Sequence, residues 1–270
     1  MIGIKSLLVM LSSTLVFNGM KLSIIIPVFN EVDTVGELLK RVQVVDLSNI
    51  SKEIIIIDDA STDNTRQFLN SLDKKKCTVL LQERNQGKGA AMRRGYQAVS
   101  GEIILNQDAD LEYNPEDYPA LLKPILEHGA DVVYGSRFVY PPELFGRKVG
   151  RANLRANNFI YNSFYFGNIF LTWLSNRFTG LRLTDMETGY KVFRRVALEK
   201  IIPQLNSRRF GIEPEITARV AQNRLTLVEV PIHYSGRTVE AGKKIKWRDG
   251  AAAVWHIVKF NWLYKLNDKT

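Results

Sequence analysis

The sequence predicts an α/β fold with a mostly parallel sheet flanked by helices, and three observations support this. Apolar runs typical of strands alternate with amphipathic helical patterns, the runs are continuously apolar, and polar residues follow each of them. Continuously apolar strands are buried on both faces, which requires helices on both sides of the sheet. Ligands of such sheets bind outside the carboxyl ends of the strands.

Five strands and four helices are predicted in the first half of the chain. The strands are residues 22–28, 53–57, 78–81, 102–105 and 131–134. The helices between them are residues 32–44, 64–72, 89–99 and 115–127. This order is that of repeated βαβ units. In the second half we predict amphipathic helices within 159–178 and 247–264, a helix opened by the acidic segment 210–216, and a strand at 226–233.

The size of the chain suits one main domain. A chain of 270 residues that is 45% hydrophobic can bury a full core. We expect an N-terminal extension or weak anchor at 1–19, a main domain at 20–246 and a C-terminal amphipathic helix at 247–270. The apolar stretch at 7–17 is too short for a transmembrane helix, which needs about 20 residues.

Charge and cysteine content narrow the function classes only partly. The net charge of +9 suits nucleic acid, an anionic membrane surface or phosphorylated small molecules. The single Cys77 cannot form an internal disulfide, and the sequence has no Cys/His cluster with zinc-ligand spacing. We therefore expect a reducing compartment and no structural zinc.

The most informative motif is Asp108-Ala109-Asp110, which follows the apolar residues 103–105. Two carboxylates at positions i and i+2 share a face of an extended chain, and this arrangement is costly unless a cation neutralises them. Oxygen ligands favour Mg²⁺ or Mn²⁺, and Glu112 is a plausible third ligand. The alternative is an ordinary turn in which short carboxylates cap backbone N–H groups.

Polar residues also follow the other predicted strands, so we expect one site at this edge of the sheet. They are Asn30-Glu31, Asp58-Asp59, Arg84-Asn85 and Ser136-Arg137. Gly87-Lys88-Gly89 lacks the spacing of a phosphate-binding loop. We interpret it as a helix start. Lys88 either points towards the donor or, as the default, is solvated at the helix end.

Five motifs occur in an order that resembles the inverting family-2 glycosyltransferases with the GT-A fold. They are Pro27-Val28-Phe29-Asn30-Glu31, Asp58-Asp59-Ala60-Ser61-Thr62-Asp63, Asn85-Gln86-Gly87-Lys88-Gly89, Asp108-Ala109-Asp110 and Gly135-Ser136-Arg137. Within that family, residues 184–191 and 237–243 resemble the dolichyl-phosphate or polyprenyl-phosphate mannose and glucose synthases. The resemblance covers residues 22–249 and implies that 20–246 is a GT-A catalytic domain.

The resemblance implies a nucleotide-sugar donor of the GDP-mannose or UDP-glucose type, bound with Mg²⁺ or Mn²⁺. The residues implied in donor binding are Pro27, Phe29, Asn30, Glu31, Asp59, Asp108, Ala109, Asp110, Arg237 and Lys243. The last two would belong to a lid that contacts the diphosphate. The implied metal ligands are Asp108, Asp110 and Glu112.

The implied acceptor is a polyprenyl or dolichyl phosphate. A phosphate monoester has a second pKa near ~6, so it is already a nucleophilic dianion at neutral pH and needs cations more than a base. Arg137 and Arg151 are the expected acceptor-phosphate ligands. Asp110, Arg137 and Asp185 are the expected catalytic residues, with Asp185 as a base or acceptor-orienting carboxylate. Helix capping is the alternative role for Asp185.

We expect the protein to lie peripherally at the cytoplasmic face of a membrane. A membrane-anchoring partner subunit is possible, and we expect no binding of nucleic acid. Two other interpretations remain open on the sequence alone. One is a family-2 glycosyltransferase that acts on a soluble or glycan hydroxyl. The other, from a different class, is a non-catalytic basic module that binds a membrane or nucleic acid.

Overall fold

The computed structural model describes residues 19–138, 159–236 and 247–263, except for the side chains of 159–164, 247–249 and 263. Three expected site residues, Arg151, Arg237 and Lys243, lie outside the described residues. Most of the predicted N-terminal segment 1–19 also lies outside them. The predicted domain boundaries therefore stay predictions.

A mixed, mostly parallel sheet forms the centre of the described structure. Its seven strands are β1 (Lys21–Val28), β2 (Ser51–Asp58), β3 (Thr78–Leu81), β4 (Ile103–Asn106), β5 (Val132–Ser136), β6 (Lys191–Arg194) and β7 (Leu227–Pro231). Their order across the sheet is β3-β2-β1-β4-β6-β5-β7. Every neighbouring pair is parallel except those that include β6.

Helices cover both faces of the sheet. They are α1 (Val35–Val44), α2 (Thr65–Asn70), α3 (Lys88–Tyr96), α4 (Tyr118–His128), α5 (Phe159–Thr179), α6 (Arg195–Ile201), α7 (Ile212–Gln222) and α8 (Trp247–Val258). Short 3₁₀ turns at Pro115–Asp117 and Ile202–Gln204 and a π-helical turn at Lys259–Leu263 complete the described elements. The predicted fold class is confirmed.

The five strands predicted in the first half are confirmed, with ends that differ by at most two residues. The sequence did not predict β6, a four-residue strand that begins and ends in charged residues. β6 lies between β4 and β5, where Val192 pairs with Leu105 on one side and Val133 on the other. Because β6 is antiparallel to both, the residues that precede it lie at the carboxyl edge of its neighbours.

Two hydrophobic cores lie on opposite faces of the sheet. Successive residues of β1 serve different cores, since side chains alternate across a strand: Ile24 packs with α1 and α4, and Ile25 packs with α3 and α7. Ile257 of α8 and Phe260 of the following turn are fully buried. The C-terminal helix is therefore part of the packed structure in the region described.

No helix in the described ranges combines the length and the apolarity needed to cross a bilayer.

Candidate active site

The loops that follow β1 and β2 are joined by hydrogen bonds at the carboxyl edge of the sheet. Asn30 has a left-handed φ of 52°, and its side-chain oxygen accepts from the Thr62 backbone N–H at 2.8 Å. The Asn30 N–H donates to the Ser61 hydroxyl, and the Glu31 N–H donates to the Thr65 hydroxyl. Asn30 and Glu31 therefore hold a fixed backbone at the end of β1, next to Pro27 and Phe29.

The same loop contacts the Asp108-Ala109-Asp110 motif. The Thr34 hydroxyl oxygen lies 2.8 Å from Glu31 Oε2 and 3.1 Å from the Ala109 carbonyl oxygen. Ala109 is 5% exposed, so the motif is anchored at its middle residue while its two carboxylates flank it. The structure thus brings the ends of β1 and β4 together, as the sequence predicted.

Asp59 is a buried carboxylate held by neutral donors. Its Oδ1 accepts from the Gln82 side-chain amide at 2.6 Å and from the Gln86 N–H at 2.7 Å. Its Oδ2 accepts from the Gly87 N–H at 2.7 Å. Burial raises the pKa of Asp59, and these N–H donors oppose that shift. Asp59 therefore fixes the loop that leads into α3.

The neighbouring Asp58 has a structural role. It is fully buried, accepts from Arg66 Nε at 2.7 Å and from the Ser61 N–H at 3.1 Å. These contacts secure the turn after β2.

Lys88, at the start of α3, makes the first ionic contact with the motif. Its Nζ lies 2.7 Å from Asp108 Oδ1 and 3.1 Å from Glu213 Oε1 of α7, and its side chain is 18% exposed. The prediction that Lys88 is solvated is therefore wrong. Burial alone would lower the pKa of Lys88, but Asp108 and Glu213 raise it well above its usual value, so the ammonium stays charged.

A second buried lysine extends this ionic chain away from the motif. Lys191 is fully buried and pairs with Glu213 Oε2. It also donates to the carbonyl oxygens of Met186 and Thr188 in the loop before β6. The alternating charges of Asp108, Lys88, Glu213 and Lys191 therefore connect the motif to that loop.

The antiparallel course of β6 brings Gly189 against the motif. A Cβ atom at Gly189 would collide with Asp108 Oδ2, so only glycine leaves room for this carboxylate. The Gly189 N–H donates to the Tyr113 hydroxyl at 2.7 Å. The loop before β6 is thus fitted closely around Asp108.

The structure does not group the three expected metal ligands, Asp108, Asp110 and Glu112, around one point. Asp110 Oδ1 accepts from the Glu112 N–H at 3.2 Å, and Glu112 Oε2 accepts from the Tyr234 hydroxyl at 2.5 Å. Across the described parts of the chain, no three acidic, His or Cys side chains are grouped as ligands of one metal ion. The oxygen donors of Asp108 and Asp110, at a sheet edge, suit a hard divalent cation whose other positions are taken by diphosphate and water.

Arg137 and Asp185 form a bidentate ion pair at the end of β5. Arg137 Nε and Nη2 each lie 2.7 Å from an Asp185 oxygen, and the Arg137 backbone N–H donates to the same carboxylate at 3.1 Å. Asn168 of α5 donates to it at 3.2 Å. Asp185 is fully buried, so its role here is to orient Arg137, whose side chain is 15% exposed.

Glu187 is a half-buried acid between this pair and the ionic chain. Its Oε1 is buried and accepts no hydrogen bond from the described residues. Burial, and then the nearby Glu213 carboxylate, raise the pKa of Glu187 to about 7, against the opposing effect of Lys191 and Arg137. A carboxyl group with this pKa can exchange a proton near neutral pH.

Sequence reasoning missed three residues of this edge that carry or contact charge: Asn168, Lys191 and Glu213. Isolated lysines and helix-start glutamates are usually solvated, so their types gave no signal. Asn168 was hidden among aromatic residues of α5. The one usable signal was the close spacing of Thr188-Gly189 and Lys191 after Asp185, which the resemblance had already singled out.

The fold and this edge define the class of protein. The structure resembles a crystal structure of glucosyl-3-phosphoglycerate synthase from Mycobacterium tuberculosis in complex with Mn²⁺, UDP and glucosyl-3-phosphoglycerate. The TM-score is 0.62 at 18% identity, over 92% of this chain and 80% of that one. The fold is the GT-A fold of glycosyltransferases.

Residues 23–202 match the model of glycosyl transferase family 2, and the chain belongs to this family. It is 27% identical over 255 residues to UDP-N-acetylglucosamine–dolichyl-phosphate N-acetylglucosaminyltransferase of Methanococcus voltae, covering 83% of this chain and 93% of the relative. It is 29% identical over 219 residues to dolichol-phosphate mannosyltransferase of Pyrococcus furiosus. That match covers 81% of this chain and 57% of the relative.

Proposed function

We propose that this glycosyltransferase moves a hexosyl group, with inversion, from a nucleotide sugar to a polyprenyl or dolichyl phosphate at a membrane surface. Family membership supports the transfer, and the two relatives named above carry dolichyl or dolichol phosphate in their names. The donor sugar, its nucleotide and the acceptor are the parts that this proposal adds.

The observation that carries the proposal is the pairing of Asp185 with Arg137. An enzyme with a hydroxyl acceptor needs a carboxylate that can take a proton. Both oxygens of Asp185 already bind the Arg137 guanidinium, so this carboxylate is poorly suited to act as a base. A phosphate acceptor needs no base, and an oriented guanidinium suits it.

On the donor side, Asp108 and Asp110 would hold a Mg²⁺ or Mn²⁺ ion together with the diphosphate. The ion would supply neutralising charge to the departing nucleoside diphosphate. The fixed backbone at Asn30 and Glu31 and the buried Asp59 would shape the nucleoside pocket. Arg237 and Lys243 would contact the diphosphate, and Arg151 would join Arg137 at the acceptor phosphate, as the resemblance implies.

An exposed aromatic stripe on α5 supports contact with a membrane. Phe166, Phe170 and Trp173 are 60%, 51% and 59% exposed and lie on one face of the helix. The opposite face carries Asn168, which contacts Asp185, and the buried Thr172. One helix therefore presents aromatic side chains outward and a site residue inward, which suits an acceptor whose tail stays in lipid.

The location belongs to the same proposal. A peripheral position on the cytoplasmic face would give the site access to soluble nucleotide sugars and to a lipid phosphate. The exposed Trp255 and Trp262 in the C-terminal region add aromatic surface of the kind found at membrane interfaces. A membrane-anchoring partner subunit is compatible with this arrangement.

A second candidate is transfer to a soluble or glycan hydroxyl, and Glu187 is the observation that favours it. This carboxyl has a buried oxygen without a hydrogen bond from the described residues and a pKa raised to about 7. Such a group could accept a proton from a hydroxyl acceptor. Membership of a transferase family argues against a non-catalytic basic module.

The test is transfer from radiolabelled nucleotide sugars with Mn²⁺, in the presence and absence of a polyprenyl phosphate. We expect a chloroform-extractable product with one donor of the GDP-mannose, UDP-glucose or UDP-N-acetylglucosamine type, and only when the lipid phosphate is present. Glu187→Gln should keep this activity. Transfer to a hydroxyl acceptor that is lost in Glu187→Gln, with no lipid product, would support the second candidate instead.

A further inference from the structure

Lys88 binds one carboxylate oxygen of Asp108, an expected metal ligand. Its ammonium lies 2.7 Å from Asp108 Oδ1, which is hydrogen-bond distance for an ion pair. Any divalent cation on the Asp108-Ala109-Asp110 motif would therefore sit beside a positive charge on the same carboxylate. Two like charges in a partly buried site oppose each other more strongly than they would in water.

The surrounding structure holds Lys88 in this position. Glu213 Oε1 also lies 3.1 Å from the Lys88 ammonium, and Lys191 pairs with Glu213 Oε2. The loop 206–209 closes over the start of α3, because Cβ atoms at Gly87 and Gly89 would lie 2.6 Å and 2.5 Å from carbonyl oxygens of Arg208 and Ser207. The surrounding ion pairs and packing thus hold Lys88 in place, and its contact with Asp108 is not a chance surface pair.

A bound diphosphate would compete with Asp108 for the Lys88 ammonium. Lys88 follows Gln86 and Gly87, whose N–H groups bind the expected nucleoside residue Asp59. A donor bound along this loop would bring phosphate oxygens towards the Lys88 ammonium, which is a strong phosphate ligand. Asp108 Oδ1 would then be released from Lys88 and could bind a cation.

We propose that Lys88 is a positioning residue that makes cation binding depend on the nucleotide: it occupies Asp108 when no donor is bound and moves its charge to the diphosphate when the donor arrives. This inference rests on the proposed function, because it needs a nucleoside diphosphate at the motif. It adds an order of events that protects the acidic pair from binding a free cation.

The test is direct titration of Mn²⁺, followed by the electron paramagnetic resonance signal of the free ion, without nucleotide and with saturating UDP or GDP. In wild type we expect weak binding without nucleotide and tighter binding with it. Lys88→Met should bind Mn²⁺ without nucleotide about tenfold more tightly, a change of the size that outer-shell partners produce. The gain from added nucleotide should shrink in this variant.

Three controls make the result specific. Lys88→Arg keeps the charge and should bind Mn²⁺ as wild type does. Lys52→Met removes another partly buried lysine, which lies at the start of β2, at the opposite edge of the sheet, and donates to three backbone carbonyls. This variant should leave Mn²⁺ affinity unchanged. Adding Asp110→Asn to Lys88→Met should abolish the gained affinity, which assigns it to the motif. If Lys88→Met does not fold, Lys88→Gln replaces it.

Unchanged or weaker Mn²⁺ binding by folded Lys88→Met without nucleotide would overturn the inference, while nucleotide-dependent Mn²⁺ binding in wild type would leave the proposed function standing. Absence of Mn²⁺ binding in wild type even with UDP and GDP would count against both. Loss of stability alone cannot produce the expected result, because a damaged site binds the ion less tightly.

Discussion

Asp59 and Asp185 are both buried carboxylates at the same edge of the sheet, yet they are held in different ways. Asp59 accepts from backbone N–H groups and an amide, all of them neutral donors. Asp185 is bound by the guanidinium of Arg137. In the proposed function, the β1, β2 side is the donor side, and the β5, β6 side, where a carboxylate orients a guanidinium, is the acceptor side.

The largest effect that sharpens this comparison is expected from Asp110→Asn on the donor side. Loss of one carboxylate from the acidic pair should lower transfer activity by about a thousandfold, because charge on the leaving diphosphate would go unneutralised. The measurement is kcat with Mn²⁺ at saturating donor and acceptor. Asp73→Asn, in an exposed turn, is the matched control and should keep wild-type activity. Full activity of Asp110→Asn would show that Asp110 does not act in the donor site.

Arg137→Lys and Arg66→Lys test most directly whether the two sides differ, because both arginines bind a buried aspartate through Nε. Lysine keeps the charge but loses the fork. We expect Arg137→Lys to raise KM for the lipid phosphate about tenfold, the loss typical of a good charge-assisted contact. Arg66→Lys should lower stability without a selective effect on the acceptor KM. An equal acceptor effect in both variants would show that the two sides do not differ as described.

Glu187→Gln tests the electrostatics of the acceptor side. The folded-state pKa of Glu187 is raised to about 7 from an ordinary 4.5, so the folded protein retains a proton that the unfolded chain releases between these values. The wild type should therefore lose stability from this group as pH rises through that window. Relative to wild type, Glu187→Gln should gain about 1–2 kcal/mol between pH 5 and pH 8.5.

The measurement is urea unfolding of both proteins at the two pH values. Glu199→Gln, in a half-exposed i,i+4 pair with Arg195, serves as a control and should show no comparable pH-dependent gain. A constant difference between wild type and Glu187→Gln across this range would mean that Glu187 titrates as a solvated acid.

The smallest effect is expected at the aromatic stripe of α5. Trp173→Ala should weaken binding to phosphatidylglycerol vesicles several-fold, because it removes a large exposed ring from the proposed contact face. Co-sedimentation at low and high salt measures it, and higher salt should weaken binding further. Val196→Ala, an exposed apolar residue on α6, should bind as wild type does. Equal binding by both variants would show that this stripe does not contact the membrane.

Much of the donor side could be predicted from the sequence, because its parts are local. Each strand there contains an apolar run that is followed directly by polar residues, so strand ends and expected site residues were predicted together. Ile103–Asn106 and the acidic motif after it are an example. The convergence of these ends follows from the parallel order of the strands, which the βαβ pattern indicates.

The acceptor side could not be predicted in the same way. β6 has only four residues, with charged ends, and periodicity does not reveal so short a strand. The contacts of Lys191 and Glu213 join residues far apart in sequence, and buried charges of this kind occur only when paired, which a single sequence does not show. Lys88 was assigned to solvent for the same reason.

We propose that the acceptor arrives already ionised and is met by an oriented cation instead of a base. The most direct measurement compares a polyprenyl phosphate with the corresponding polyprenol, at equal concentration in the same vesicles, with donor and Mn²⁺. We expect sugar transfer to the phosphate and none to the alcohol. Comparable transfer to the alcohol would contradict it.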